Sequence, residues 1–164
     1  MISQLHEADP DLPFYFTEGG PDITDPKYLT EWTRWGTVFS EAIENWCRCI
    51  ITWNLMLDPK GRPQIGGFEC GGLVTLNPDN TLTYSAQYWV LRHFSQHVQR
   101  GALRVASKSQ VAEVISIAFR NEDGSVVVVL TNLGRARDIH VDLGSEEALI
   151  KLDQQSVTTI VLKP

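Results

Sequence analysis

The feature that most constrains this 164-residue chain is a change of hydrophobic period near Gly101. Ahead of that point apolar side chains recur at helical spacings; after it, short runs alternate apolar and polar residues. A helix repeats about every 3.6 residues and a strand about every 2, so the two halves cannot share one kind of layer. The expected fold class is therefore α/β followed by β.

In the first half, Leu12 to Thr17 (LPFYFT) is a short apolar run that stops at Glu18, Gly19, Gly20 and Pro21. This predicts a buried strand with Glu18 at its C-terminal end. Asp25-Pro26 has the form of a helix cap with proline in the first turn. Apolar residues at Tyr28, Trp32, Trp35, Phe39, Ile43 and Trp46 then predict an amphipathic helix, with Trp32, Trp35 and Trp46 as packing residues. Arg48 to Asn54 (RCIITWN) reads as a second buried strand, and Leu55 to Gly72 as a long loop rich in Gly and Pro. Strand, helix, strand is one unit of a parallel sheet with outer helices. A second helix is expected over Ser85 to Val98, with Tyr88, Leu91, Phe94 and Val98 inward.

In the second half the strand-like runs are Leu103 to Ala106, Glu113 to Phe119, Ser125 to Thr131, Asp138 to Leu143, Ala148 to Leu152 and Val157 to Leu162. Asn121-Glu122-Asp123-Gly124 separates two of them as a hairpin turn does. Such short strands with Gly and Asx turns predict an antiparallel sheet or part of a β-sandwich. Neither half is self-sufficient, because two parallel strands leave their edges open.

Charge narrows the function classes. The formal net charge is −6, the pI is about 5.1, and there is no basic run, so no nucleic-acid surface is expected. No stretch is long and apolar enough to predict a transmembrane helix. MISQLHEADPDLP has neither a basic start nor an apolar core, so no signal peptide is expected here; a cytoplasmic location is the default, with secretion open for longer relatives. Cys47, Cys49 and Cys70 lack the spacing of a zinc site or disulfide scaffold and are expected as buried free thiols. His93 and His97 share a helix face, but no further ligands are spaced to complete a metal site.

Several ordered strings together resemble glycoside hydrolase family 30, the glucosylceramidase-like retaining β-glycosidases. They are Phe16-Thr17-Glu18; Thr52-Trp53-Asn54 with Leu55 and Leu57; Cys70-Gly71-Gly72-Leu73-Val74; Gln87-Tyr88-Trp89; His93-Phe94-Ser95; Gly101; and Asp123-Gly124-Ser125 followed by four valines. The resemblance runs from about residue 12 to the C-terminus. It implies that residues 1–100 are the last two β/α units of a (β/α)8 TIM barrel and that residues 101–164 are the C-terminal strands of a β-sandwich. In such barrels active sites gather at the C-terminal ends of the strands, where the periodicity independently puts Glu18, Trp53 and Asn54.

By the same resemblance Glu18 matches the catalytic nucleophile, Trp53 an aromatic wall of the sugar pocket, and Asn54 a polar neighbour for ring hydroxyls. Read without it, Glu18 could accept hydrogen bonds from the following Gly amides or pair with an arginine, and Trp53 could be core. Gln64 to Glu69 is expected to rim the pocket. The family's acid/base glutamate sits in an Asn-Glu-Pro string, which these 164 residues do not contain. The implied activity is hydrolysis of β-glucosides or glycosphingolipids, with no metal or organic cofactor. The general acid and most other pocket residues are expected to come from another polypeptide, such as a missing N-terminal barrel portion, or to be absent, and the chain alone is expected to be inactive. Two other readings remain: a non-catalytic carbohydrate- or partner-binding β-module, against which Phe119 stands as the lone aromatic after Gly101, and a structural remnant.

Overall fold

A computed structural model of the chain describes residues 2–63, 69–142, 144 and 147–164. It forms two compact units, Met1–Leu91 and Arg92–Pro164.

The first unit contains α1 (Ile2–Ala8), β1 (Phe14–Phe16), α2 (Trp32–Glu44), β2 (Cys47–Ile50), β3 (Met56–Leu57), β4 (Val74–Leu76), β5 (Leu82–Tyr84) and the start of α3 (Ala86–Ser95). β1 and β2 pair in parallel across α2, the strand–helix–strand unit expected from the sequence. α2 turns Trp35 and Phe39 inward; their rings lie 5.7 Å apart, and Phe39 meets Phe16 edge-on at 6.5 Å.

The helix starts later than expected. Asp25 does not cap it: its carboxylate accepts the Lys27 N–H at 2.8 Å, while its carbonyl accepts the Tyr28 N–H, closing a separate turn. Helix begins at Trp32, where Glu31 accepts the Trp35 indole N–H at 2.9 Å and the Arg34 guanidinium at 2.8 Å. Trp46 is not on the packing stripe either. It lies past the helix in the left-handed region (φ 64), is 37% exposed, and stacks on the His6 ring at 4.0 Å.

β2 is shorter than the predicted strand, leaving Trp53 and Asn54 in the loop beyond it. Part of the expected Gly- and Pro-rich loop is strand: β3 pairs in parallel with β4, and β4 pairs antiparallel with β5. The proposed rim at residues 64–68 lies outside the described residues. Glu69 is exposed.

α3 is capped by Ser85, whose hydroxyl accepts the Tyr88 N–H at 3.2 Å. Ala86, Gln87 and Val90 are its fully buried residues in the first unit, so the inner face is rotated from the expected Tyr88 and Leu91, which are only partly covered.

In the second unit β6 (Leu103–Val105), β7 (Val114–Arg120), β8 (Val126–Asn132) and β11 (Ser156–Leu162) form an antiparallel sheet in the order β11-β8-β7-β6. β9 (Arg137–Asp142) and β10 (Glu147–Leu152) form a separate hairpin. These spans match the strand-like runs read from the sequence, with the end of the fourth, Leu143, outside the described residues. Asn121 to Gly124 makes the β7–β8 turn, where Gly124 has φ +83 and Asp123 accepts the Ser125 N–H and hydroxyl. Central β8 is covered on both faces: Val127 and Val129 on one, Val128 and Leu130 on the other with Val114, Ala118 and Leu152. β10 alternates as a half-buried strand must, Ile150 and Leu152 inward and Leu149 and Lys151 outward.

Burial of Leu152 (0% exposed) against this cluster predicts that Leu152→Ala costs about 2–5 kcal/mol. Leu149→Ala, on the same strand but 63% exposed, is expected to stay within about 0.5 kcal/mol of the parent. Urea unfolding of the two variants checks the facing of β10; equal losses would contradict it.

His93 supplies a pH test. Its Nδ1 lies 2.9 Å from the Thr159 hydroxyl, which donates to the His93 carbonyl at 3.1 Å. Burial first, then the nearby charges of His97 and Arg92, push the imidazole below its ordinary 6.5. Below about pH 6.5 the unfolded chain binds this proton more readily than the folded one. His93 therefore contributes its full stability above that pH, and the contribution falls as acid is added toward the lower folded value. Asp22, Asp58, Asp79 and Asp123, each held below 3.8 mainly by local hydrogen bonds, lose theirs only in stronger acid. Unfolding free energy measured at pH 7.5 and 5 should drop for the parent and drop less for His93→Gln; parallel drops would contradict the assignment.

Candidate active site

The site is built where the chain leaves β1 and β2. The parallel ladder continues past both strands, with the Ile51 N–H donating to the Phe16 carbonyl at 2.8 Å and the Trp53 N–H to the Gly19 carbonyl at 3.1 Å. Those bonds hold the Glu18–Gly20 segment beside the Trp53 segment. A third segment closes the group: the Gly71 N–H donates to the Pro21 carbonyl at 2.6 Å, Asp22 and Cys70 form an antiparallel bridge, and the Leu73 N–H donates to the Asn54 carbonyl at 2.9 Å. Gly20 sits in a tight approach: a Cβ there would lie 3.2 Å from Trp53 Cβ and 3.4 Å from the Gly71 carbonyl oxygen, so its neighbours would have to give by a few tenths of an ångström.

Glu18, Gly19, Gly20, Trp53 and Cys70 line a cleft of 330 Å³, enough for one monosaccharide-sized ring and its hydroxyls. Glu18 is exposed and supplies the lining's carboxylate; Trp53, 43% exposed, supplies its aromatic ring. An indole face and a carboxylate on one wall can pack against the apolar face of a sugar while meeting its polar edge.

Two of the three residues singled out from the sequence thus share the cleft. Asn54 is not among the lining residues; its Nδ2 donates to Cys70 Sγ at 3.6 Å. Cys70 is buried and its thiol free, while Cys47 and Cys49 are free and only partly buried, against the expectation that all three are buried. Its place on the wall was not legible in the sequence, because the Asp22–Cys70 pairing spans most of the unit. Glu69 does not join the lining.

Among the described residues no cluster of His, Cys, Asp or Glu could hold a metal ion, and no helix is long and apolar enough to cross a membrane. A larger groove of 1100 Å³ lies within the second unit, between the four-stranded sheet and β9. Its lining is aliphatic and polar, including Val105, Val128, Ile139 and Val141, with no Phe, Tyr or Trp to stack on a sugar.

Comparison with known proteins agrees with this architecture. Residues 101–160 match the glycosyl hydrolase family 30 beta sandwich domain. Two Caenorhabditis elegans proteins, provisionally named glucosylceramidase 4 and glucosylceramidase 2, are 28% and 27% identical, over 99% and 80% of this chain. The chain spans 34% and 27% of their respective lengths. Among solved structures, an endo-β1,6-glucanase superposes with a TM-score of 0.90 at 28% identity, covering 99% of this chain and 38% of that one. SrfJ from Salmonella typhimurium superposes at 0.92 over the same shares, at 23% identity, a likeness of fold. Residues 101–160 therefore carry the glycosyl hydrolase family 30 β-sandwich domain, and the chain is distantly similar to glucosylceramidases over a small part of their length.

Proposed function

We propose that this chain is the C-terminal portion of a retaining β-glycosidase that acts on β-glucosides, glycosphingolipids included, with Glu18 as nucleophile. Residues 1–100 are read as the last two β/α units of a TIM barrel and residues 101–164 as the C-terminal part of its β-sandwich. The observation that carries the reading is the pairing of Glu18 with Trp53 in one cleft just past two parallel strands, the end of a barrel where catalytic groups collect. The names of the relatives, glucosylceramidases and an endo-β1,6-glucanase, support a β-linked glucose-containing substrate.

In this mechanism one Glu18 oxygen attacks the anomeric carbon as the bond to the leaving oxygen breaks, and a second carboxyl about 5–5.5 Å away gives that oxygen its proton. The product is a glycosyl ester on Glu18. The second group, now a carboxylate, takes a proton from water, whose oxygen attacks the same carbon and frees Glu18. Trp53 packs against the sugar ring. Asn54, bonded to Cys70, acts through it or turns toward the sugar when it binds. The second carboxyl comes from sequence outside these 164 residues.

The test is turnover of an aryl β-glucoside by the chain alone and mixed with a polypeptide carrying the first six β/α units and their Asn-Glu-Pro string. Turnover is expected only in the mixture, and Glu18→Gln should lower it on the order of 10⁴-fold or more, the scale of losing a covalent nucleophile. Turnover by the chain alone, or turnover in the mixture that survives Glu18→Gln, would contradict the reading.

Trp53→Ala should raise KM about tenfold with little change in kcat, the pattern of lost binding shared by ground and transition states. Steady-state kinetics of the assembled protein measure this; an unchanged KM would remove Trp53 from the sugar contacts.

A further inference from the structure

Gln87 is fully buried (0% exposed) on the inner face of α3, where an apolar residue is the usual filling. Its Nε2 donates to the Gly19 carbonyl at 2.8 Å, the oxygen that also accepts the Trp53 backbone N–H. Chemistry fixes the orientation of the amide, since the reverse would set two acceptor oxygens against each other. Its Oε1 is buried with no hydrogen-bond partner among the described residues. A buried acceptor left unpaired is unfavourable, whereas Met or Leu would fill the space without that cost. The gain that offsets it is the single donor aimed at Gly19.

We propose that Gln87 is a positioning residue: its N–H clamps the Glu18–Gly20 segment to the Trp53 segment and thereby sets where the Glu18 carboxylate stands in the cleft. Removing the donor leaves Gly19 with one hydrogen bond in place of two. Because the Trp53 N–H still satisfies that carbonyl, and because Oε1, which meets no hydrogen-bond partner among the described residues, disappears too, the overall fold keeps its stability. The segment carrying Glu18 loses its order. A residue that served the fold alone would show the opposite, a lower melting point with the loss spread over the whole unit.

The consequence for catalysis rests on Glu18 being the nucleophile; the clamp itself does not. Amide hydrogen exchange on the full 164-residue chain reads the clamp directly. Gln87→Met is expected to leave the unfolding midpoint unchanged while the Trp53 amide exchanges about tenfold faster, the order of one lost hydrogen bond. Gln87→Glu supplies a second readout, because a buried carboxyl holds its proton to higher pH than usual and the neutral acid can donate to the Gly19 carbonyl. After correction for the intrinsic pH dependence of exchange, the Trp53 amide of Gln87→Glu should be protected at low pH and lose protection as the acid ionises, while Gln87→Met shows no such step. Trp53 exchange that is unchanged in Gln87→Met, a midpoint that falls together with faster exchange throughout the unit, or a flat pH profile for Gln87→Glu would overturn the proposal. Failure to trap a sugar on Glu18 would instead sink the nucleophile assignment and leave the clamp standing.

Discussion

The cleft depends on one carbonyl. Gly19 accepts the Trp53 backbone N–H and the Gln87 side-chain N–H, and so joins the end of β1, the loop after β2 and the first turn of α3. Hydrogen bonds of this kind contribute roughly 1 kcal/mol each, less than the apolar packing beneath them. Their value is directional. They bring an exposed carboxylate and an exposed indole into one cleft from segments far apart in sequence, which burial of Trp35 and Phe39 cannot do because it has no preferred direction.

The second unit works by different physics. Its sheet has a central strand, β8, whose apolar residues are covered on both faces, and a hairpin, β9–β10, laid against one of them. Register is strongly specified there, since a slip of one residue would turn Leu152 and Ile150 outward and Leu149 and Lys151 inward. This is the part that matches the family's β sandwich domain, and the groove described there has no aromatic residue in its lining. The candidate site residues Glu18 and Trp53 lie in the first unit and the order-imposing alternation in the second.

The strands after Gly101 were legible because each shows one face to a core, and a two-residue period over six or seven residues is hard to mistake. The β1–α2–β2 unit was legible for the same reason at helical spacing. What escaped was local. Asp25 looked like a helix cap and instead closes a turn of its own; Trp46 fits the helical spacing but falls past the helix at positive φ; β3, β4 and β5 are too short to display any period. In the cleft, Glu18 and Trp53 could be anticipated from strand ends. Cys70 and Gln87 could not, because a buried polar residue announces itself only through the partner it meets. For Gln87 the sequence offered only its place in the Gln87-Tyr88-Trp89 string, one residue off the expected inner stripe.

A sugar-processing reading stands or falls on which atom bonds to the anomeric carbon. The most direct measurement is mass spectrometry of the assembled protein after treatment with a 2-deoxy-2-fluoro-β-glucoside, which slows release of the covalent intermediate. The account predicts one added glycosyl group on the peptide containing residues 14–20, attached at Glu18. A glycosyl group on any other side chain, with Glu18 unmodified, would contradict it.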